Sequence, residues 1–377
     1  MTEPLFLILA GGKGERLRPL TEYCPKPLIR FGASGRLLDF TLNNCLRSGA
    51  GEVVVLTQYL GGLIQYYLEN GWMERFQRAG TILRTFDSRD TLGGRFLGTA
   101  YAAYMAITAA PVLPKRVVVL AGDHFYRMDY RSMIAEHARQ GGTATVASVE
   151  CEPREAAQLG IIRADGAGRI REFMEKPEHL AGLTSRGDKP LCSMGIYVFE
   201  TQTLLPVLED ALARDRYDFG KDVIPELVSV GQAFAFPFRD SKSAPGFWRD
   251  IGNLGAYWRS QIGLVRRLAD GRLEPPWNFA DDGSFVPRAW LPGSKRNGEM
   301  KIVNSLIGGK VSLGRALVRE SVIAPGAWIG DGATIISSVV LDGTVVKPGA
   351  RLINTVVGSG LELTVETGDD DEPSIAA

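Results

Sequence analysis

The sequence predicts an α/β domain with a mainly parallel sheet, followed by a parallel β-helix. Three observations support this prediction. Short apolar runs alternate with segments of helical spacing over the first two-thirds of the chain, prolines interrupt that pattern after about residue 275, and aliphatic residues then recur every six positions. Alternating strands and helices are typical of a parallel sheet covered by helices on both faces.

The apolar periodicity gives the individual elements of the first region. Strands are predicted over residues 5–10, 52–57, 116–121, 143–149 and 195–199, and helices over 38–48, 63–70, 98–108 and 130–140. The resulting sheet is Rossmann-like, and ligands of such sheets bind at the carboxyl ends of the strands. We therefore expect a site at that edge.

The last hundred residues have a period of six. We call a series of positions spaced six residues apart a comb. On one comb, aliphatic residues occupy seven of eight positions, and Lys347 occupies the other: Val311, Leu317, Ile323, Ile329, Ile335, Leu341 and Ile353. Small residues lie on a second comb: Gly326, Gly332, Ser338, Thr344 and Ala350. This pattern indicates a hexapeptide β-helix, expected to be left-handed, with aliphatic side chains stacked inside each coil.

The same patterns set the expected domain boundaries. Residues 1–274 form the α/β domain, and residues 275–367 contain a linker and the β-helix. The linker is marked by four prolines: Pro275, Pro276, Pro287 and Pro292. Residues 368–377 are acidic and poor in apolar side chains, so we expect a disordered tail.

Charge and cysteine usage exclude several classes of protein. The 377 residues carry 43 basic and 43 acidic side chains, which argues against a broad nucleic-acid or anionic-membrane surface. No apolar run approaches the ~20 residues needed to cross a bilayer. The four cysteines are widely spaced and are expected to be reduced, as in a cytoplasmic protein: Cys24, Cys45, Cys151 and Cys192. The histidines lack zinc-site spacing.

A glycine-rich turn after the first predicted strand is the strongest site signal. The string LAGGKGERLRPLT is followed by PKP. Glycines let backbone N–H groups approach an anion, while Arg16 and Lys26 supply cations for triphosphate oxygens. The backbone residues expected to bind the nucleotide are Leu9, Ala10, Gly11, Gly12 and Gly14. The string differs from the P-loop and dinucleotide-binding patterns.

Two acidic side chains follow apolar segments. Asp123 comes directly after the predicted strand 116–121, and Asp250 lies in the string WRDIG. Carboxylate oxygens and phosphates are the ligands that Mg²⁺ prefers, so a magnesium site is one interpretation. A helix-capping role for Asp123 is the other.

Further along the chain, small polar groups accompany apolar strands. Lys176 precedes a proline in EFMEKP and is a candidate for binding an acceptor phosphate; an exposed surface lysine is the alternative. The strings CSMGIYVF and YDFGKD supply polar side chains of the kind that a polyol pocket needs.

Taken in this order over nearly the whole chain, these motifs resemble those of the bacterial ADP-glucose pyrophosphorylase (glucose-1-phosphate adenylyltransferase) family of sugar nucleotidyltransferases. The resemblance implies transfer of a nucleotidyl group from a nucleoside triphosphate to a sugar 1-phosphate with release of pyrophosphate. It implies catalytic roles for Arg16, Lys26 and Asp123, and Mg²⁺ held by Asp123 and Asp250. It implies that Lys176 binds the sugar phosphate and that five residues line the sugar pocket: Glu175, Ser193, Asp218, Phe219 and Trp248. It also implies nucleotide contact at Gly98 and a homo-oligomer, dimeric or tetrameric.

The sequence departs from the family around residues 83–102. A tryptophan is expected where Arg95 stands, an aspartate where Tyr101 stands, and the usual glutamine-rich segment is missing. In the family this region covers the nucleotide base. A guanylyltransferase acting on a cyclitol phosphate, such as the valienol 1-phosphate enzymes, is therefore an alternative. Two others are a non-catalytic regulatory subunit and an acyltransferase with its active site on the β-helix. Such acyltransferases commonly have a catalytic histidine on the coils, and this sequence has no histidine after His179, which counts against that alternative.

Overall fold

A computed structural model describes residues 3–152, 156–177, 190–241, 244–270, 289–297, 300–358, 361–367 and 373–375. The chain packs as two compact units. The first comprises Met1–Lys13 and Thr41–Arg249, and the second comprises Gly14–Phe40 and Asp250–Ala377. The predicted boundaries at 274 and 367 stay a prediction, because most of the expected linker (275–288) lies outside the described residues.

Eight α-helices are described. They are α1 (Leu37–Arg47), α2 (Gly61–Glu69), α3 (Met73–Arg78), α4 (Thr99–Thr108), α5 (Tyr130–Gln140), α6 (Thr201–Ala213), α7 (Ile224–Ser229) and α8 (Leu254–Ala269). A π-helical turn, Phe219–Val223, precedes α7, and short 3₁₀ turns span Glu15–Leu17, Lys26–Leu28 and Ser88–Asp90.

The strands before α8 are β1 (Leu5–Leu9), β2 (Arg30–Phe31), β3 (Gly35–Arg36), β4 (Glu52–Thr57), β5 (Ile82–Asp87), β6 (Arg116–Ala121), β7 (His124–Tyr126), β8 (Ala144–Glu150), β9 (Gly160–Ala164), β10 (Ile170–Glu175), β11 (Leu191–Glu200), β12 (Ala233–Pro237), β13 (Arg239–Ser241), β14 (Ala244–Pro245) and β15 (Trp248–Asp250).

The strands after α8 are β16 (Ala289–Asn297), β17 (Met300–Ile307), β18 (Ser312–Leu313), β19 (Leu317–Arg319), β20 (Val322–Ile323), β21 (Trp328–Ile329), β22 (Thr334–Ile336), β23 (Val339–Val340), β24 (Val345–Val346), β25 (Arg351–Ile353), β26 (Thr355–Gly358), β27 (Leu361–Thr367) and β28 (Pro373–Ile375).

A nine-stranded mixed sheet forms the first unit. Its main path is β10-β9-β11-β6-β1-β4-β5, and β8 pairs with β11 and β12. Strands β6, β1, β4 and β5 are parallel, while β11 runs antiparallel to both β6 and β8. The continuous Val, Ile and Leu runs of β1, β4 and β6 are buried, as expected for strands covered on both faces. The predicted α/β fold is confirmed.

The C-terminal strands of the second unit form three parallel ladders. One runs β17-β20-β23-β26, another β17-β19-β22-β25, and the third β18-β21-β24. Partners on the first ladder, Leu306, Val322, Val339 and Val356, lie 16 or 17 positions apart. The residues matching a hexapeptide pattern therefore form a coiled, β-helix-like domain, as predicted. Its left-handed winding stays a prediction.

The single six-residue comb was wrong in detail. The buried aliphatic positions are Val318, Ile323, Ile329, Ile335, Val340, Val346 and Leu352, so one side of each coil is five residues long. The comb therefore slips by one position per coil, which explains why Lys347 is exposed beside buried Val346. At the corner within each five-residue side, one residue has a left-handed backbone: Asn304, Glu320, Ser337 and Asn354.

A ladder of hydroxyl groups stacks at these corners. Ser305, Ser321 and Ser338 each accept a hydrogen bond from the backbone N–H one coil later, and the last donor is Thr355. Each hydroxyl also donates to the carbonyl two residues before it, as Ser338 does to Ile336 at 2.8 Å. Buried polar groups are thereby satisfied along the axis of the coil.

Within the second unit, α8 contacts both the coiled domain and the segment that carries Arg30. Trp258 Nε1 donates to Ser337 O at 2.8 Å, so the helix is attached at a corner of the coil. Gln261 Oε1 accepts from Gly32 N at 2.8 Å, and Tyr257 OH donates to Arg30 O at 2.9 Å. Arg30 in turn forms an ion pair with Asp342 at 2.6 Å.

Two expectations from the sequence are corrected. Cys151 and Cys192 form a disulfide, with Cα atoms 6.1 Å apart, because antiparallel pairing of β8 and β11 brings their chains side by side; Cys24 and Cys45 are free thiols. Residues 373–375 of the expected disordered tail form a strand against β27, and the rest of 368–377 lies outside the described residues.

No described helix combines the length and apolar character needed to cross a membrane.

Candidate active site

The glycine-rich loop leaves the sheet at the carboxyl end of β1. Leu9 pairs with Leu56 of β4 and Ala121 of β6, and Gly122 N donates to Leu9 O at 3.0 Å. Ala10 N continues the ladder to Leu56 O. The loop therefore begins at the same edge as the segment that carries Asp123, as the parallel topology predicts.

Gly11 and Gly12 provide exposed backbone at this point. A Cβ atom on Gly11 would lie 3.2 Å from Gln58 Cβ, a close approach to the end of β4. Gly12 is exposed and has open space around its Cα. An anion could thus reach the backbone N–H groups of this turn without meeting a side chain.

In the second unit, Arg16, Lys26 and Asp250 lie together. Lys26 Nζ is 3.5 Å from Asp250 Oδ1. A Cβ atom on Gly252 would lie 3.3 Å from Asp250 Oδ2 and 3.6 Å from Arg16 Nη2, so the guanidinium borders the same turn. Two predicted site residues near the start of the chain therefore meet a third that lies 224 positions beyond Lys26.

Gly14 has a left-handed backbone, with φ of 63°, that a side chain would strain. A Cβ atom there would also lie 2.9 Å from Thr21 Cγ2 and 3.1 Å from Lys26 Cβ. Thr21 Oγ1 donates to Gly14 O at 2.8 Å and closes the turn. Glycine at this position lets Lys26 pack against the loop.

Asp123 lies beside His124 and Trp248 in the first unit. Trp248 Nε1 donates to His124 Nδ1 at 3.3 Å, and His124 Nε2 is 3.6 Å from Asp123 Oδ1. The His124 and Trp248 rings meet edge-on, with centroids 5.2 Å apart. No role was predicted for His124, although it stands next to Asp123 in the motif.

Glu175 and Lys176 end β10. Glu175 Oε2 is 2.9 Å from the position a Cβ atom would take on Gly160 and 2.8 Å from that on Gly220, so both glycines make room for this carboxylate. Lys176 Nζ is 3.4 Å from Glu175 Oε1, and its backbone is left-handed with φ of 48°. Such strain in a non-glycine residue is frequent at functional sites.

Asp218 is the N-cap of the π-helical turn. Its Oδ1 accepts from Gly220 N at 2.9 Å and Lys221 N at 3.1 Å, and its Oδ2 accepts from Thr99 Oγ1 at 3.1 Å. Thr99 Oγ1 also accepts from Phe219 N. The carboxylate therefore joins the start of α4, next to Gly98, to the turn beside Glu175.

Phe219 was expected to line a sugar pocket, but its ring is buried in the core. It is 1% exposed and stacks on Phe199 with a centroid distance of 5.2 Å. An apolar ring gains more by packing among Tyr197 and Phe199 than by facing water.

Ser193 lies at an irregularity of β11. The pairing of β11 with β8 shifts register between Ser193 and Tyr197, and Gly195 within this bulge has φ of 65°. Ser193 Oγ accepts from Gly195 N at 3.2 Å. A Cβ atom on Gly195 would lie 3.6 Å from His124 Cε1, so the bulge borders the His124 ring.

The segment that departs from the family pattern also has a defined packing. Phe96 N donates to Gln58 Oε1, and the Phe96 ring stacks on Phe86 with centroids 6.1 Å apart. Tyr101 packs edge-on against Tyr217 at 6.2 Å. Arg95 is exposed, where a large aromatic residue was expected.

Among the described residues, no group of three or more His, Cys, Asp or Glu side chains is arranged to hold a metal ion. Mg²⁺ often binds through one or two carboxylates together with substrate phosphates and water. Asp123 is partly exposed at the sheet edge, and Asp250 is partly exposed beside Lys26.

The α/β fold, with a glycine-rich loop at the carboxyl end of β1, is that of an enzyme that transfers nucleotidyl groups. Residues 5–265 match the nucleotidyl transferase family, and the chain belongs to that family. Residues 287–372 match the GlmU-like C-terminal hexapeptide family.

Similar curated proteins span most of the chain. The glucose-1-phosphate adenylyltransferase 2 of Vibrio cholerae is 36% identical over 90% of this chain and 85% of its own length. The glucose-1-phosphate adenylyltransferase of Albidiferax ferrireducens is 35% identical over 85% of this chain and 78% of its own. That of Rhodopseudomonas palustris is 36% identical over 85% and 79%.

Proposed function

We propose that this chain joins a nucleoside triphosphate to glucose 1-phosphate or a closely related sugar-type 1-phosphate and releases pyrophosphate. The observation that carries the proposal is the convergence of Arg16 and Lys26 on Asp250 next to a glycine-rich loop. Two cations and a carboxylate in one place suit a magnesium-bound triphosphate better than a neutral ligand.

The acceptor brings its own nucleophile. A sugar 1-phosphate has a second pKa of about 6 and is mostly dianionic at neutral pH. Its oxygen can attack the α-phosphorus without a strong general base. The tasks left to the protein are to align the substrates and to stabilise charge on the leaving pyrophosphate.

Each side chain has a task that follows from its chemistry. Arg16 and Lys26 would neutralise the triphosphate oxygens, and Lys176 would bind the acceptor phosphate. Asp123 and Asp250 would supply carboxylate oxygens to Mg²⁺, which neutralises phosphate charge when bound. Glu175, Ser193 and Trp248 would contact the sugar hydroxyls, and Asp218 would hold the adjoining turn in place.

The names of the similar proteins favour adenylyl transfer to glucose 1-phosphate. The packing of Tyr101 on Tyr217 and the exposed Arg95 favour the second candidate, guanylyl transfer to a cyclitol phosphate, because these residues replace the family pattern on the base side. The β-helix and the family resemblance support a homo-oligomer, dimeric or tetrameric. Sedimentation of the purified chain tests the assembly.

A matrix of five triphosphates against glucose 1-phosphate, glucosamine 1-phosphate and a valienol-type phosphate tests the proposal. Pyrophosphate release would be measured with Mg²⁺ at equal concentrations of each pair. Strong turnover of ATP with glucose 1-phosphate supports adenylyl transfer and counts against the cyclitol enzyme. No release from any pair favours a non-catalytic regulatory subunit.

A further inference from the structure

We propose that His124 is a positioning residue that links Trp248 to Asp123, and so connects the acceptor side of the site to a carboxylate expected to hold Mg²⁺. The inference deepens the proposed function and rests on it. No task for His124 was predicted from the sequence, whereas the structure places it between two residues that are expected to have one, Asp123 and Trp248.

The hydrogen bond from Trp248 specifies the tautomer of the neutral imidazole. An indole N–H can only donate, so His124 Nδ1, 3.3 Å away, must be the bare acceptor. In the neutral ring the proton then resides on Nε2. Asp123 Oδ1 lies 3.6 Å from this Nε2, which is longer than a hydrogen bond and makes the contact electrostatic.

The surrounding packing holds the ring in this orientation. Strands β7 and β15 pair, and they carry His124 and Trp248 respectively. One residue further along β7, Phe125 packs edge-on against Phe247 with centroids 5.2 Å apart. On another side, Gly195 borders the ring, and a Cβ atom there would be in ordinary contact with His124 Cε1, at 3.6 Å. The imidazole therefore has little freedom to turn away from Asp123.

The consequence is a fixed positive dipole in front of the Asp123 carboxylate. Such outer contacts orient metal ligands, and their loss commonly costs about 10- to 100-fold in metal affinity or activity. The other end of the same ring holds the Trp248 indole. A change at the Nε2 end of His124 should therefore alter metal binding and kcat, whereas a change at the Nδ1 end should alter the KM for the acceptor.

Two isosteric substitutions separate the two ends of the ring. His124→Asn can keep an acceptor near the Nδ1 position but removes the Nε2–H donor. His124→Gln can keep a donor near the Nε2 position but removes the acceptor for Trp248. Trp248→Phe removes the same hydrogen bond from the other partner and keeps an aromatic ring.

There are two readouts. One is Mn²⁺ binding without substrates, measured through the electron paramagnetic resonance signal of free Mn²⁺; the other is steady-state kinetics with the best substrate pair. For His124→Asn we expect about 10-fold weaker Mn²⁺ binding and about 10-fold lower kcat, with the acceptor KM changed less than about twofold. For His124→Gln and Trp248→Phe we expect the acceptor KM to rise about 3- to 10-fold. In the double variant His124→Gln/Trp248→Phe, the acceptor KM should rise no further than in either single variant, because both substitutions remove the same hydrogen bond.

Unchanged Mn²⁺ binding and kcat in His124→Asn would overturn the proposal, as would fully additive losses in the double variant. His137→Gln, at a buried histidine of α5, is the matched control and should leave both readouts unchanged. Thermal unfolding identifies any variant that fails to fold. If one of the two histidine substitutions does not fold, the other still tests its own end of the ring. Absence of pyrophosphate release by the wild-type chain would count against the proposed function, whereas the Mn²⁺ measurement tests His124 without turnover.

Discussion

Lys26 Nζ lies 3.5 Å from Asp250 Oδ1, although 224 residues separate the two in the sequence. The lysine side chain is only 11% exposed and the aspartate 25%. Because the pair is shielded from water, its charges act more strongly on a third group than they would on an open surface. The ammonium is thus held beside the carboxylate that is expected to bind Mg²⁺.

Lys26→Ala should lower kcat/KM for the triphosphate by about 100-fold, because it removes a fixed charge that stabilises the transition state. The acceptor KM should change little. Lys347→Ala is the control, since Lys347 is exposed on the coiled domain. Steady-state kinetics at saturating acceptor makes the comparison. A loss below about threefold in Lys26→Ala would contradict its place at the triphosphate.

Asp123→Ala should abolish turnover without unfolding the protein, since a metal carboxylate contributes to charge stabilisation and not to packing. We expect kcat to fall by at least about 1,000-fold. Asp129→Ala provides the reverse case. Asp129 caps α5 by accepting from Arg131 N at 3.0 Å, so its loss should cost about 1 kcal/mol of stability and leave turnover intact. Wild-type rates in Asp123→Ala would refute a metal role.

His137 should make the first unit less stable in acid. Burial lowers the pKa of His137 to about 4 from 6.5, against the opposing effect of the Glu200 carboxylate and with a further lowering by Arg116. The imidazole also bonds to Thr145 Oγ1 at 2.9 Å. Because the unfolded chain takes up the proton at higher pH, this contribution to stability is complete above about pH 6.5 and is lost as the pH falls toward 4.

Urea unfolding between pH 4.5 and pH 7 tests this assignment. The free energy of unfolding of the wild type should fall with pH by up to a value on the order of 3 kcal/mol from His137 alone. The dependence should be shallower in His137→Gln. Parallel curves for the two proteins would show that His137 does not control the acid sensitivity.

Ser338→Ala should loosen the hydroxyl ladder of the coiled domain. The variant leaves Thr355 N without its acceptor and Ile336 O without its donor, at a cost of about 1–3 kcal/mol. Hydrogen exchange of the Thr355 amide should accelerate. Ser312→Ala, at an exposed position of β18, should leave that amide protected. Equal exchange in both variants would mean that the ladder does not stabilise the corner.

The strands and helices of the first unit were predictable because long apolar runs such as those of β1, β4 and β6 leave few alternatives. The coil geometry was only partly predictable. Its five-residue sides depend on left-handed backbone at Glu320 and Ser337, a conformation that such residues adopt only when the surrounding coil requires it. Asn304 and Asn354 were the one available hint, since asparagine tolerates that conformation.

The site was predictable where motifs carry charge. Arg16, Lys26 and Asp250 were chosen from separate strings, and the structure brings them together. The contact between His124 and Trp248 depends on the pairing of β7 with β15, and the Cys151–Cys192 disulfide depends on the pairing of β8 with β11. Such long-range pairings have no local signal. The same holds for Phe219, because its motif does not show which way the ring points.

The most direct test of the account is the fate of the phosphates of the triphosphate. The purified chain would be incubated with Mg²⁺, glucose 1-phosphate and a triphosphate radiolabelled at either the α- or the γ-phosphorus. If the chain transfers a nucleotidyl group, the α label appears in a sugar nucleotide and the γ label in pyrophosphate, in equal amounts. Release of the γ label as inorganic phosphate, or no transfer of the α label from any triphosphate to any sugar-type 1-phosphate, would contradict it.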